Sequence, residues 1–307
     1  MDFTKPFPKR PVIRKLGTIA CDIVETTPLV FGGTLYRFEY IRAKKQNPAN
    51  DTGASYFRLV EYDTGRIVTE LARGCHLGCA YTDGETLYAV GVRERWGGDT
   101  LGIFRTSDLC SWEETSVRFP GYGIYNTGVC KMDGGYTLLM EIDAPKDECG
   151  VPFTFRFARS DDMTHWTMTP PACVFQKERY AGGPAIYTFP GDPYYYVLYL
   201  EALPGGFYTT CAARSRDLTA WDYSPVNPLL MYGDEDKVIA NPALSEAARA
   251  RIAFAHDVNN SDVELCGWNG GTVLMYSWGN QHGNEFLAEA RCELPPRELL
   301  RGLFYAD

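Results

Sequence analysis

The chain has 307 residues, 45% of them hydrophobic and 22% charged, a balance that excludes a disordered chain. A net charge of −9 argues against nucleic acid or an anionic membrane as partner, because both reward a basic surface. No apolar run approaches the roughly 18 residues that span a bilayer, and the basic opening MDFTKPFPKRPVIRK has no apolar stretch behind it, so a cytoplasmic location is expected.

Taken in chain order, the predicted elements are mostly strands, in keeping with an aromatic content of 14% that includes 20 Tyr. An apolar strand, a Gly-rich turn and a second strand recur five times. The second strands run Gly32–Tyr40, Asp83–Val90, Asp133–Glu141, Gly191–Glu201 and Asn269–Trp278, after PLVF, GCAY, GVCKM, PAIYTF and VELCGW. Three of these hairpins are followed by a further motif: Thr106-Ser-Asp-Leu-Cys-Ser-Trp112, Ser160-Asp-Asp-Met-Thr-His-Trp166 and Ser215-Arg-Asp-Leu-Thr-Ala-Trp221, whose tryptophans lie 54 and 55 residues apart. The Asp suits a tight turn, since its side chain bonds backbone amides ahead of it, and the Trp can fill the space between adjacent units. One helix is predicted within Asn241–Arg251, with Ser245 as N-cap. A supersecondary unit of about 55 residues repeated five times predicts an all-β fold, a five-bladed β-propeller occupying residues 1–307 as one domain.

Ten cysteines are scattered, mostly singly in apolar strands, as small buried hydrophobes. Cys75 and Cys79 are closely spaced, but two further ligands with a recognisable spacing are missing, so no metal and no cofactor is expected.

Propeller strands run alternately up and down from the axis, so the starts of the innermost strands share a face with the ends of the second strands. The starts offer Glu25, His76, Asn126, Arg179 with Gly182-Gly-Pro184, and Asn259-Asn260-Ser-Asp262. The ends offer Glu39 with Arg42, Arg93 with Arg95, Glu141 with Asp143, Glu201, and Trp278-Gly-Asn-Gln281-His282. Glu141 and Glu201 close otherwise apolar strands in neighbouring blades. Each must be solvated by a cavity or paired with an arginine.

Five hairpin blades with outer Ser-x-Asp-Leu-x-x-Trp motifs resemble the five-bladed glycoside hydrolases of the arabinanase/β-xylosidase type, family 43, with their invertase-like and mannoside-phosphorylase relatives. The resemblance covers most of the chain at the level of blade patterns. It implies an exo-acting glycosidase that uses one carboxyl group as acid and another to activate water or attack the sugar. Three family positions depart from the pattern: Thr27 stands where relatives carry an Asp before Pro28, Asn126-Thr127 where they carry the third-blade Asp, and Gly182-Gly-Pro184 where they carry Glu-Gly-Pro.

The expected catalytic groups are therefore Glu141, Glu201 and Asp262, with His76 or His282 as an alternative acid. Glu25, His76, Arg93, Asn126, Arg179, Asn260, Trp278, Gln281 and His282 are the expected substrate-binding residues, Trp278 stacking beneath a sugar ring. The polar last blade also allows a structural reading, a hydrogen-bonded latch that closes the ring. Other functions compatible with the pattern are a non-catalytic sugar-binding propeller and a phosphorylase using Arg93, Arg95 and Arg179. A sialidase fits less well, because its Asp-box turns need a Gly that these motifs lack. A carbohydrate is the expected partner, and the oligomeric state is left open.

Overall fold

The computed structural model describes residues 6–42, 54–280 and 284–306. The first strand, β1 (Arg14–Cys21), precedes the blades. Blade one consists of β2 (Val24–Phe31), β3 (Thr34–Ile41), β4 (Tyr56–Glu61) and β5 (Ile67–Leu71). Blade two is β6 (Cys75–Thr82), β7 (Leu87–Arg93), β8 (Thr100–Thr106) and β9 (Glu113–Arg118). Blade three is β10 (Gly123–Met132), β11 (Gly135–Ala144), β12 (Thr154–Ser160) and β13 (Thr167–Met168). Blade four is β14 (Ala181–Tyr187), β15 (Tyr195–Leu203), β16 (Phe207–Ser215) and β17 (Asp222–Tyr223). Blade five is β18 (Asn259–Trp268), β19 (Gly271–Gly279) and β20 (Glu285–Cys292), with β1 as its fourth strand.

Each blade is an antiparallel meander, and a single parallel bridge from Tyr208 to Asn259 links blades four and five. The innermost strands β2, β6, β10, β14 and β18 neighbour one another in a closed ring. Among the described residues there is one apolar core per blade interface. Phe38, Tyr40 and Phe57 of blade one pack with Leu77, Leu87 and Phe104 of blade two. Equivalent clusters join blades two and three, three and four, and four and five. A smaller one, Ile23 and Leu35 with Val273, Met275 and Leu287, joins five back to one. Burying both faces of every sheet against its neighbours is what makes a ring of small sheets stable. These sheets form a five-bladed β-propeller.

The Trp motifs are the turns between the third and fourth strands of blades two, three and four. Their geometry repeats: Asp108, Asp162 and Asp217 each accept, through Oδ1, two backbone amides two and three residues ahead, at 2.8–3.0 Å. The residue after each Asp is left-handed (Leu109 φ 63°, Met163 φ 63°, Leu218 φ 66°), which turns an apolar side chain inward. Trp221 stacks on Phe157 of blade three, its ring 5.9 Å away, and donates Nε1–H to the Val174 carbonyl. The motif is scaffold, as its repetition implied.

Ring closure carries no such repeat signature. β1 lies antiparallel to β20, from Arg14 opposite Arg291 to Cys21 opposite Phe286. At its centre Thr18 bonds Val238 and Asp236 through backbone and hydroxyl, and receives Trp278 Nε1–H at 2.8 Å. The predicted helix forms as Glu246–Phe254, and Ser245 Oγ accepts the Ala248 amide as its cap.

Candidate active site

All five innermost strands break register with their partners at the same height, carrying one residue more than the strand beside them. The breaks fall at Val24/Thr26, His76/Cys79, Ile124/Thr127, Gly182/Ala185 and Ser261/Glu264. Such bulges re-aim side chains. Four of them contain a left-handed residue: Glu25 (φ 41°), Leu77 (φ 50°), Gly183 (φ 50°) and Asp262 (φ 50°). For a non-glycine residue this conformation costs about 1–2 kcal/mol. Two of the strained residues are carboxylic acids, and both point at the axis.

The bulges floor a cavity of about 300 Å³ that includes Glu25, Arg42, Asn126, Glu141, Asp262 and Glu285 in its lining. Glu141, on β11, sits opposite the bulge of its own blade. Its Oε2 accepts Asn126 Nδ2–H at 2.9 Å and the Gly183 amide of blade four at 2.9 Å. Asp262 of blade five approaches the same glycine from the other side; a Cβ on Gly183 would lie 2.4 Å from Asp262 Oδ1. Gly183 is the point at which carboxyl groups of blades three and five meet. Asp262 Oδ2 also accepts the Ser261 hydroxyl at 2.5 Å.

Burial raises the pKa of each of these acids. Glu141 is pushed up to about 7, against the lowering effect of Asn126 and the Gly183 amide, with the Asp262 charge adding to the rise. Asp262 rises to about 6, burial outweighing its bond to Ser261. Glu25 is pushed well above the carboxylate range by burial and then by Asp262, with Arg42 opposing; its covered Oε2 has no hydrogen-bond partner among the described residues. The guanidinium of Arg42 pairs with Glu285 at 2.5 Å, while its buried Nε finds no acceptor among the described residues. Asn259 Oδ1, in the same lining, is likewise buried without a donor among the described residues. Beside these polar groups the lining is aromatic. Tyr125, Phe153 and Tyr180 touch edge to face in series, with centroids 4.6 and 5.6 Å apart, and Trp96 extends the wall. Hydrogen-bonding groups without partners among the described residues, set beside aromatic rings, suit a ligand ring that is polar at its edge and apolar on its face.

The structure thus brings together Glu25, Asn126, Glu141 and Asp262 from the sequence-derived set. It places the others elsewhere. Glu201 follows Leu200, which lines the cavity, so strand alternation turns it away, and it pairs with Arg179 at 2.5 Å. Arg179 is thereby held outside the cavity as well. Arg93 pairs with Glu114 and lies over Phe104. His76 is enclosed in the interface of blades one and two, its Nδ1 3.0 Å from the Tyr40 hydroxyl. Asn260 faces away from the cavity between Asn259 and Ser261, and donates to Asp236. Trp278 is fully buried, stacked on Phe286 at 4.5 Å, and serves the ring closure instead of a ligand. Gln281 and His282 lie outside the described residues. Among the described residues no three His, Cys, Asp or Glu side chains form a metal-binding group.

The aromatic wall escaped the sequence reading. Trp96, Phe153 and Tyr180 come from connections that follow the repeat strands, where no period marks them. Glu264 and Glu285 are visible in the sequence only as the ends of the polar runs Asn259–Glu264 and Tyr276–Glu285 of the last blade.

No family model matches the chain, and no curated protein matches it in sequence. Solved structures do. An α-L-arabinofuranosidase from Podospora anserina, determined with cellotriose, superposes with a TM-score of 0.62 over 94% of this chain and 99% of that one, at 10% identity. A thermostable family-43 glycoside hydrolase gives 0.60 over 93% and 92%, at 9% identity. The α-L-arabinanase of Penicillium chrysogenum, determined with arabinobiose, gives 0.57 over 92% and 98%, at 11% identity. The chain is a β-propeller with the fold of these glycoside hydrolases.

Proposed function

We propose that the protein is a glycoside hydrolase that removes a terminal sugar, with Glu141 as general acid and Asp262 as the carboxylate that activates water or attacks the anomeric carbon. The observation that carries this reading is the meeting of those two carboxyl groups on Gly183 in the floor of the cavity. It also accounts for the departures from the family pattern. Gly182 leaves room where relatives carry the acid, and Glu141 Oε1 lies 3.3 Å from where its Cβ would be. The acid has moved from the first strand of blade four to the second strand of blade three. Environments that hold one carboxyl near 7 and its neighbour lower are what acid and base roles require. A cavity of about 300 Å³ suits one or two sugar units.

A panel of aryl glycosides tests the proposal, with α-L-arabinofuranosides first because the fold neighbours act on arabinose-containing substrates. Glu141→Gln and Asp262→Asn should each lower kcat by about 10²–10⁴. Glu201→Gln, outside the cavity, should change it by less than about threefold. Equal activity in all three would reject the site.

The second reading, a sugar-binding propeller without turnover, is favoured by Thr27, Asn126 and Gly182 at the family's carboxylate positions. Sugar-dependent thermal protection with no release of free sugar from any substrate would favour it. Phosphorolysis loses its support, since Arg93 and Arg179 are paired with acids outside the cavity and Arg95 is exposed.

A further inference from the structure

Three voids are threaded on the propeller axis. The active-site cavity opens on one face. A wider cavity, about 810 Å³, opens on the opposite face between the far ends of the innermost strands, and Thr27, Cys79, Ala185 and Glu264 are part of its lining. Between the two lies a void of about 10 Å³, the space of a single water. It shares Glu25, Asn126, Gly183 and Asp262 with the active-site cavity, and Glu264 with the opposite one.

Glu264 is a half-buried acid that the proposed hydrolysis does not use. Its Oε1 accepts the Thr27 hydroxyl at 2.8 Å, which in turn accepts the Ala80 amide at 3.2 Å. The titratable groups facing it are Asp262 on its own strand, Glu25 on β2, Cys79 on β6 and Tyr187 on β14; no Lys or Arg lines the neck. Burial without a cation pushes its carboxyl up to about 8, so it holds a proton at neutral pH. Packing alone would be served by Leu or Gln. What a carboxyl adds is the ability to take a proton on one oxygen and release it from the other.

We propose that Glu264 relays protons along the axis between the active-site carboxyls and solvent in the opposite cavity, through the water-sized void in the neck. The inference rests on the hydrolase reading above. In each turnover Glu141 gives its proton to the leaving oxygen, and Asp262 gains one from the attacking water. While a sugar fills the cavity, Asp262 passes that proton to a water in the neck, which passes one of its own to Glu264. Glu264 releases the proton on its other oxygen to solvent in the opposite cavity. Only O–H bonds form and break, and one proton leaves on the far face. Glu141 takes one back from solvent as the product departs.

The test compares wild type, Glu264→Gln and Glu264→Leu on an aryl glycoside that wild type hydrolyses, in H₂O and D₂O across pH. The relay predicts that both variants lose about tenfold in kcat, less than the loss of the acid itself at about 10²–10⁴, with KM held and a larger solvent isotope effect. Gln keeps the volume and the Thr27 bond, so it separates the relay from a packing defect; sugar-dependent thermal protection checks its fold. A Glu264→Gln enzyme with the wild-type kcat, pH profile and isotope effect overturns the relay alone. A wild type that turns over no glycoside overturns the hydrolase reading and the relay with it.

Discussion

At the scale of single residues, the site is defined by carboxyl groups gathered in one confined cavity. Because Glu141 must be protonated and Asp262 ionised, and their values lie near 7 and 6, kcat/KM should follow a narrow bell centred between pH 6 and 7. A pH–rate profile on the best substrate of the panel checks this. A plateau extending above pH 8 would remove Glu141 as the acid. The residues themselves were only partly legible in the sequence. Glu141 and Asp262 stood out because each ends or interrupts a strand of apolar or amide side chains. Glu201 stood out for the same reason, yet it lies on the strand face opposite Leu200 and pairs with Arg179, since a single step in strand alternation separates a cavity group from an ion pair. Trp278 shows the converse: a tryptophan beside polar residues suggested a sugar platform, whereas its indole completes the ring closure on Thr18.

At the scale of elements, the bulge on each innermost strand converts a regular scaffold into a site. Hairpins and Trp turns are set by short-range chemistry, namely Gly-rich turns, Asp side chains on amides and alternating apolar residues, so their positions could be read directly. A bulge changes register by one residue and leaves almost no trace in composition. Asp262 and Glu25 are left-handed residues with branched or long side chains at these points, a conformation that nothing in their sequence context requires. Gly183, by contrast, is where glycine is obligatory: φ is +50° and a methyl group would collide with Asp262. Gly183→Ala should therefore push Asp262 aside and lower kcat by at least about tenfold, on the same basis as other small misplacements of catalytic groups. A far-ultraviolet circular dichroism spectrum like that of wild type would confirm that the blades persist. Full activity in the alanine variant would mean that Asp262 does not need its present place.

At the scale of the whole molecule, closing five sheets around an axis concentrates carboxyl groups there, and stability should record it. Glu141 and Glu264 are held near 7 and 8, against about 4.3 in an unfolded chain, so the native state binds more protons than the unfolded state across that interval. Their contribution is greatest below the unfolded value and is lost as pH rises through the folded values. Asp162 and Asp217 titrate below the ordinary range through their turn amides, and they act in the opposite sense only at lower pH. Melting temperature should accordingly fall between pH 5 and pH 8, and Glu264→Gln should flatten the fall. A melting curve that rises over the same interval would contradict the burial of these acids. The five-fold count was legible because five hairpins recur. The last blade's role as a hydrogen-bonded latch was legible too, in the polar residues that include Asn260 and Trp278. The strand it closes on was not, because β1 is an ordinary strand whose partner is more than 260 residues away in the chain.

That long-range pairing has a consequence for how the molecule is made. Blades one to four each consist of strands adjacent in sequence, and they can form in order as the chain leaves the ribosome. Blade five cannot, since its outer strand is synthesised first and its inner three last. Until β20 emerges, β1 has an unpaired edge, and the faces of blades one and four that will border the last blade stay bare. Such edges and faces invite association with other chains. The slow step of folding should be the final docking of blade five, a contact of very high sequence separation. For the nascent chain, the period of greatest exposure is then the interval before β20 emerges.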